Sequence, residues 1–144
     1  KIMKKKIVIT GALGYIGTEL CKLYSGFSWK YEIIAIDNRF VSERVNELKR
    51  RKIKFIQADI LNLDFEDQSY DWVSISAALH HLHSPHYGFC EMLRISIKGI
   101  LVIESSDNFL SRLSRKLKLG VDYEIDALLA DGTGGVNNTH IPNC

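Results

Sequence analysis

The sequence predicts an α/β fold, a doubly wound parallel sheet of about five strands with helices on both faces. Three observations predict it. Apolar runs alternate with segments of helical period, no internal repeat or low-complexity linker interrupts them, and the stretch "ITGALGYIGTEL" at 9–20 places glycines at 11, 14 and 17 directly after the first run. At 144 residues, 46% hydrophobic and 25% charged, the chain has the material for one core. Residues 1–130 are expected to form a single domain, and 131–144 a Gly/Asn-rich tail or loop.

The elements follow in order. The first strand is expected at 6–10 (KIVIT), then a helix at 15–25 opened by the glycine turn, and a second strand at 32–37 (EIIAID). A helix at 41–51 leads to the third strand at 53–58, and the fourth strand falls at 71–76 (DWVSIS). A helix at 86–96 connects it to the fifth strand at 98–104 (KGILVIE), and right-handed crossovers then set the sheet. A last helix is expected at 108–118, with Arg112, Arg115, Lys116 and Lys118 on one side and Leu110, Leu113 and Leu117 opposite, an amphipathic surface helix. "ADGTGGVNNTHIPNC" then loses the period and carries loop chemistry.

Charge and composition exclude several classes. The formal charge is +2, and the basic clusters Lys4-Lys5-Lys6 and Lys49-Arg50-Arg51-Lys52 lack interleaved aromatics, so they read as solvated surface and no nucleic-acid partner is expected. No apolar run reaches the roughly 18–20 residues of a membrane helix, and the lysine-rich start runs into a strand rather than a signal-peptide core. The chain is therefore expected to be cytoplasmic. Cys21, Cys90 and Cys144 form no CxxC pair and read as reduced thiols. His80, His81, His83, His86 and Cys90 have no second distant ligand pair beyond a lone His140, so no metal is expected, with His81 packed under the sheet end and the others solvated. Trp29 and Trp72 are assigned to packing, and Ser105, Ser106 and Asp107 to a helix cap.

Gly11 allows a tight turn out of the strand, Gly14 lets the backbone approach a bound group, and Gly17 lets the helix pack close to the sheet. The helix start near Tyr15 presents unpaired N–H groups where a diphosphate fits. Asp37 ends the second strand twenty residues beyond Gly17, in place to bind ribose hydroxyls, while Arg39 leaves room for a 2′-phosphate.

With these residues in place, "KKIVITGALGYIGTELCKLY…YEIIAIDNRF…IKFIQADILN", spanning 5–62, resembles the start of an extended short-chain dehydrogenase/reductase of the NAD-dependent epimerase/dehydratase family, a Rossmann-like fold. The resemblance implies Tyr15 and Ile16 against cofactor phosphates, Asp37 against the ribose, and Asp59-Ile60 beside the adenine. The family's catalytic YxxxK is absent: the fourth residue after every tyrosine is Glu, Ser or Ala.

Residues 55–142 resemble class I S-adenosylmethionine-dependent methyltransferases of the type 11 kind. The likeness rests on Asp59, the 65–73 run FEDQSYDWV, Ala78-Leu79-His80-His81-Leu82, Glu91 with Arg94, and Lys98-Gly99. Such enzymes carry an acidic D/E-x-G-x-G-x-G turn after strand one, whereas Thr10-Gly11-Ala12-Leu13-Gly14 has no acid. Their cofactor carries an ammonium, a carboxylate and a sulfonium but no phosphate.

The glycine turn is the most specific feature, so the expected function is an NAD(P)-binding Rossmann domain of the epimerase/dehydratase type, derived from or acting in sugar-nucleotide metabolism. Residues 1–62 form the epimerase-like half and 63–130 the methyltransferase-like half. NAD is the expected cofactor, with NADP second, and the expected set around it is Gly11, Gly14, Tyr15, Ile16, Gly17, Asp37, Asn38, Arg39, Asp59, Ile60 and Ala77; no catalytic residue is assigned. One alternative is an S-adenosylmethionine-dependent class I methyltransferase. Another is a truncated or fused inactive product, a chimera joined within 53–62 or a fragment. Expected partners are a small-molecule substrate, a sugar nucleotide first among them, and a second copy of the chain.

Overall fold

A computed structural model describes residues 3–104 together with Leu113, Lys116 and Leu117. The elements run β1 (Lys5–Thr10), α1 (Tyr15–Ser25), β2 (Tyr31–Asp37), α2 (Ser42–Arg50), β3 (Lys54–Gln57), β4 (Tyr70–Ser76), a 3₁₀ turn (Leu79–His81), α3 (Pro85–Ile95) and β5 (Ser96–Ile103). The expected strands and the first three helices are all present, with ends shifted by one or two residues. The helix expected at 108–118 and the tail lie outside the described residues, apart from Leu113, Lys116 and Leu117, where the Leu117 N–H donates to the Leu113 carbonyl at 2.9 Å.

All five strands are parallel in the order β3-β2-β1-β4-β5. The order reverses between β1 and β4, so their carboxyl ends diverge and leave a crevice, the place where open α/β sheets bind ligands. Residues of alternate parity build two core layers. Ile7, Ile9, Ile33 and Ala35 meet Leu13 and Cys21 at α1 and Val45 and Leu48 of α2. Val8, Ile34, Ile36, Val73 and Ile75 meet Met92 and Ile95 of α3 together with Ile60 and Leu63 of the β3–β4 crossover.

That crossover, 58–69, has no helix of its own and is held by Arg94, whose guanidinium donates to the carbonyls of Leu63 (2.9 Å) and Phe65 (2.7 Å) and pairs with Glu91 and Asp67. The Asp71 carboxylate accepts the Lys6 backbone N–H and pairs with Lys98, tying β1, β4 and β5 at the opposite edge of the sheet. The α1/α2 layer reaches only part of its face. Trp72, Ile97, Leu101 and Ile103 on β4 and β5 are exposed in part, the Trp72 ring lying against Gly99, and Trp29 is 67% exposed.

Candidate functional site

The crevice sits where β1 turns into α1. Gly11 adopts φ +62, open to glycine at little cost, and a Cβ there would stand 3.3 Å from the Ala78 Cβ. Gly17 is a packing position: a Cβ would fall 2.2 Å from the Gly11 carbonyl oxygen and 2.8 Å from the Ala12 Cα, so only glycine lets α1 lie this close to the turn. Gly14 precedes the first residue of α1 without a side-chain cap.

The turn's amides have partners within the chain. Ala12 N–H donates to the Ile36 carbonyl and Gly14 N–H to the Gly11 carbonyl, each at 3.0 Å, and Leu13 N–H donates to Asp37 Oδ2 at 3.0 Å. Asp37 is 4% exposed, and its Oδ1 accepts the Arg39 backbone N–H (3.1 Å) and Nε (3.3 Å). The Leu13 carbonyl accepts from Arg44 of α2. The Ala12, Leu13 and Gly14 amides are therefore satisfied within the chain, and the Asp37 carboxylate lies directly against the turn. Its charge is met by Arg39, and Arg44 stands beside it on the Leu13 carbonyl.

Ile60 is buried in the core layer on the α3 side; Asp59 beside it is exposed, with Oδ1 accepting the Leu61 N–H at 2.9 Å. Asn38 and Tyr15 are exposed, while Arg39 and Ile16 are half-buried. Ala77 follows β4 at φ +47, a left-handed conformation in a non-glycine residue. Its N–H donates to the Ile103 carbonyl at 2.7 Å, which ties the strained residue to β5. The structure thus brings Gly11, Gly14, Asp37 and Ala77 to one sheet edge, with Asp59–Ile60 at the end of β3.

Sequence reasoning missed one pair. Glu104, just past β5, accepts the Ala78 and Leu79 N–H groups (3.1 and 2.7 Å) through Oε1 and meets His80 Nδ1 at 2.5 Å through Oε2. His80 is thus fixed in place rather than solvated, and with a proton on Nδ1 the basic atom of the ring is Nε2. Burial works to raise the Glu104 pKa, but the bonds from His80 and Leu79 outweigh it and hold the carboxyl below its usual 4.5. The signal in the sequence was an acid closing strand five opposite a histidine turn closing strand four. His83 and His86 are exposed, and no group of residues suited to a metal occurs among the described residues. Ser105, Ser106, Asp107 and His140 lie outside them. Among the described residues no helix is long and apolar enough to cross a membrane.

Comparison with known proteins bears on this crevice. The model of the family described as "Methyltransferase domain" matches residues 13–103, from the glycine turn to the end of β5. A demethylmenaquinone methyltransferase of Renibacterium salmoninarum is 34% identical over 68 residues, covering 47% of this chain and 29% of that enzyme. A UDP-glucose 4-epimerase of Bacillus subtilis is 35% identical over 81 residues, covering 51% and 23%. Among solved structures, the Bacillus subtilis YcgJ protein superposes with a TM-score of 0.60 at 20% identity, covering 79% of this chain and 50% of that one. An S-adenosylmethionine-dependent methyltransferase of Thermotoga maritima, described as a possible histamine N-methyltransferase, gives 0.55 at 19% identity, covering 86% and 56%. The chain therefore spans about half the length of these structures and under a third of the curated relatives.

These findings correct the expected function and cofactor. The family match takes in α1, β2 and Asp37, the elements expected to hold NAD or NADP, and assigns them to a methyltransferase domain. The epimerase likeness remains a partial one, to 23% of that enzyme. An NAD(P)-binding epimerase/dehydratase domain is thereby overturned; the glycine spacing that suggested it fixes a close strand-to-helix turn and not the ligand.

Proposed function

The chain belongs to the class I methyltransferase-domain family, and from that premise we propose that its crevice binds S-adenosylmethionine and directs methyl transfer to a small-molecule acceptor. The observation that carries the reading is the buried Asp37 carboxylate closing β2 beside the glycine turn, within the span matched to the methyltransferase family. Oδ1 of Asp37 is engaged twice by Arg39, and Oδ2, engaged once, keeps a lone pair for a ribose hydroxyl. Asp59 and Ile60 flank the adenine, Ile60 with apolar surface from the core layer on the α3 side. Gly11, Gly14 and Ala77 let the backbone come close to the ligand, and Asn38 borders the ribose.

When bound, S-adenosylmethionine supplies an electrophilic methyl group on a sulfonium. The chain orients it. His80, its Nδ1 anchored on Glu104, holds the turn after β4 in place beside this edge. Sugar-nucleotide chemistry has no separate support and is set aside with the epimerase reading.

Thermal unfolding of the full chain with S-adenosylhomocysteine or NADH tests the proposal. At 100 times its dissociation constant a ligand adds about 2.7 kcal/mol, so S-adenosylhomocysteine is expected to raise the melting temperature by several degrees. NADH at equal concentration is expected to leave it unchanged. Stabilisation by NADH alone would refute the assignment.

A further inference from the structure

The crevice lies at the carboxyl ends of the parallel strands, and their amino ends carry a different surface. The basic clusters at 4–6 and 49–52 are far apart in sequence and contain no aromatic residue, which is why the sequence alone reads them as solvated. The fold sets them around one edge. Lys5 opens β1 opposite Tyr31, its N–H donating to the Lys30 carbonyl at 3.0 Å, and α2 ends against α1, where Arg51 donates to Ser25 Oγ at 3.4 Å. Lys54 opens β3 at the same end. Both clusters, Lys30 and Lys54 are exposed.

Between the clusters lies the turn from α1 to β2, residues 26–30, closed by the Lys30 and Tyr31 N–H groups, which donate to the Phe27 carbonyl at 2.8 and 3.0 Å. This turn presents its large apolar side chains to solvent. Trp29 is 67% exposed and Phe27 44%, with Leu23, one helical turn before Phe27, at 59%. Single exposed apolar residues are ordinary, but three within seven residues, set among basic side chains, mark a binding surface. Acids do not cancel the charge. Glu47 is paired with Arg51 at 3.1 Å, Glu32 stands beside Lys6 in the ladder, and Asp71 is engaged by Lys98.

We propose that this amino end of the sheet docks on an anionic lipid bilayer. Trp29 and Phe27 enter the headgroup boundary, where rings with an apolar body and a polar rim are favoured, and the surrounding lysines and arginines meet the negative surface of the leaflet. Leu23 beside the rings fits a lipid boundary better than nucleic acid, whose bases stack on aromatic faces. A chain docked in this way keeps the crevice, at the other end of the strands, open to water. The proposal stands on charge and exposure and is independent of the S-adenosylmethionine reading.

Cosedimentation of the full chain with vesicles tests it, one set of phosphatidylcholine alone and one in which about a third of the lipid is phosphatidylglycerol. Binding is expected to the second set only, and to be lost at about 0.5 M salt, where charges are screened within about 4 Å. Trp29→Ala is expected to weaken binding about tenfold, as when a large apolar side chain is no longer buried, and to leave the melting temperature of the free chain unchanged, because the ring is already exposed. Lys49→Ala with Arg50→Ala is expected to weaken it roughly twentyfold, about fivefold for each charge removed near the surface. In a Trp72→Phe background the remaining indole emission is expected to shift to the blue on the anionic vesicles, which a contact through charge alone would not produce. Equal binding to both vesicle sets, binding to neither, an unshifted emission or an affinity indifferent to Trp29→Ala would overturn the proposal. Binding of a labelled single-stranded RNA in place of anionic vesicles would overturn it in favour of nucleic acid.

Discussion

Replacing Gly17 with alanine separates the packing role of the glycine turn from any role in ligand binding. The added Cβ would fall 2.2 Å from the Gly11 carbonyl oxygen and 2.9 Å from its carbonyl carbon, against an ordinary contact of 3.4 Å or more. Both neighbours are backbone, so no rotamer change relieves the clash, and α1 must withdraw by about 1 Å from a close-packed layer. Overpacking of this kind costs about 3 kcal/mol, of which about 1 kcal/mol is returned by alanine's better helix propensity, leaving a net loss of about 2 kcal/mol. Urea unfolding followed by circular dichroism reads this as a midpoint lower by about 1 M. Gly14→Ala is the control: its Cβ would meet only the Gly11 oxygen at 3.2 Å, and φ −72 suits any L residue, so a loss under about 1 kcal/mol is expected. A Gly17→Ala midpoint equal to wild type, or a larger loss for Gly14→Ala, would refute the reasoning.

Three further outcomes are expected. Asp37→Ala strands the buried Leu13 N–H and is expected to cost about 1–3 kcal/mol in unfolding free energy, whereas Asp37→Asn, which keeps an accepting oxygen, costs less; equal losses would show that the Leu13 bond contributes nothing. Glu104 titrates below its ordinary 4.5 in the folded chain, so its stabilisation is complete above that value and is lost as pH falls through the folded pKa; Glu104→Gln is expected to flatten the acid limb of a melting-temperature profile, and an unchanged limb would contradict the His80–Glu104 geometry. Cys90 is exposed, whereas Cys21 is buried with its thiol pushed up to about 12 by desolvation, so Ellman's reagent is expected to lose a fast-reacting group in Cys90→Ser and none in Cys21→Ser.

The sheet was legible because its signal is local. Runs such as IVIT and EIIAID carry their own strand propensity, and β1 and β2 bury them on both faces. The ligand class was not legible, because glycine spacing reports a tight strand-to-helix turn without reporting where its amides point. That depends on the Leu13–Asp37 bond, which spans 24 residues, and on Ile36 beside the turn. His80 and Glu104 are likewise separated by 24 residues, and only the β4–β5 pairing makes them neighbours. The partial exposure of Trp72, which packs against Gly99 at the rim of the α1/α2 layer, was not legible for a related reason: its size suggests burial, and only the strand order shows where the layer thins.

The central claim, that this edge of the sheet takes S-adenosylmethionine rather than a dinucleotide, is tested most directly by amide chemical-shift mapping of the full chain with S-adenosylhomocysteine and, separately, NADH. S-adenosylhomocysteine is expected to shift Gly11, Asp37, Asn38, Ile60 and Ala77 saturably, with NADH neither reproducing nor displacing the pattern. Saturable shifts at those amides with NADH, absent with S-adenosylhomocysteine, would contradict it.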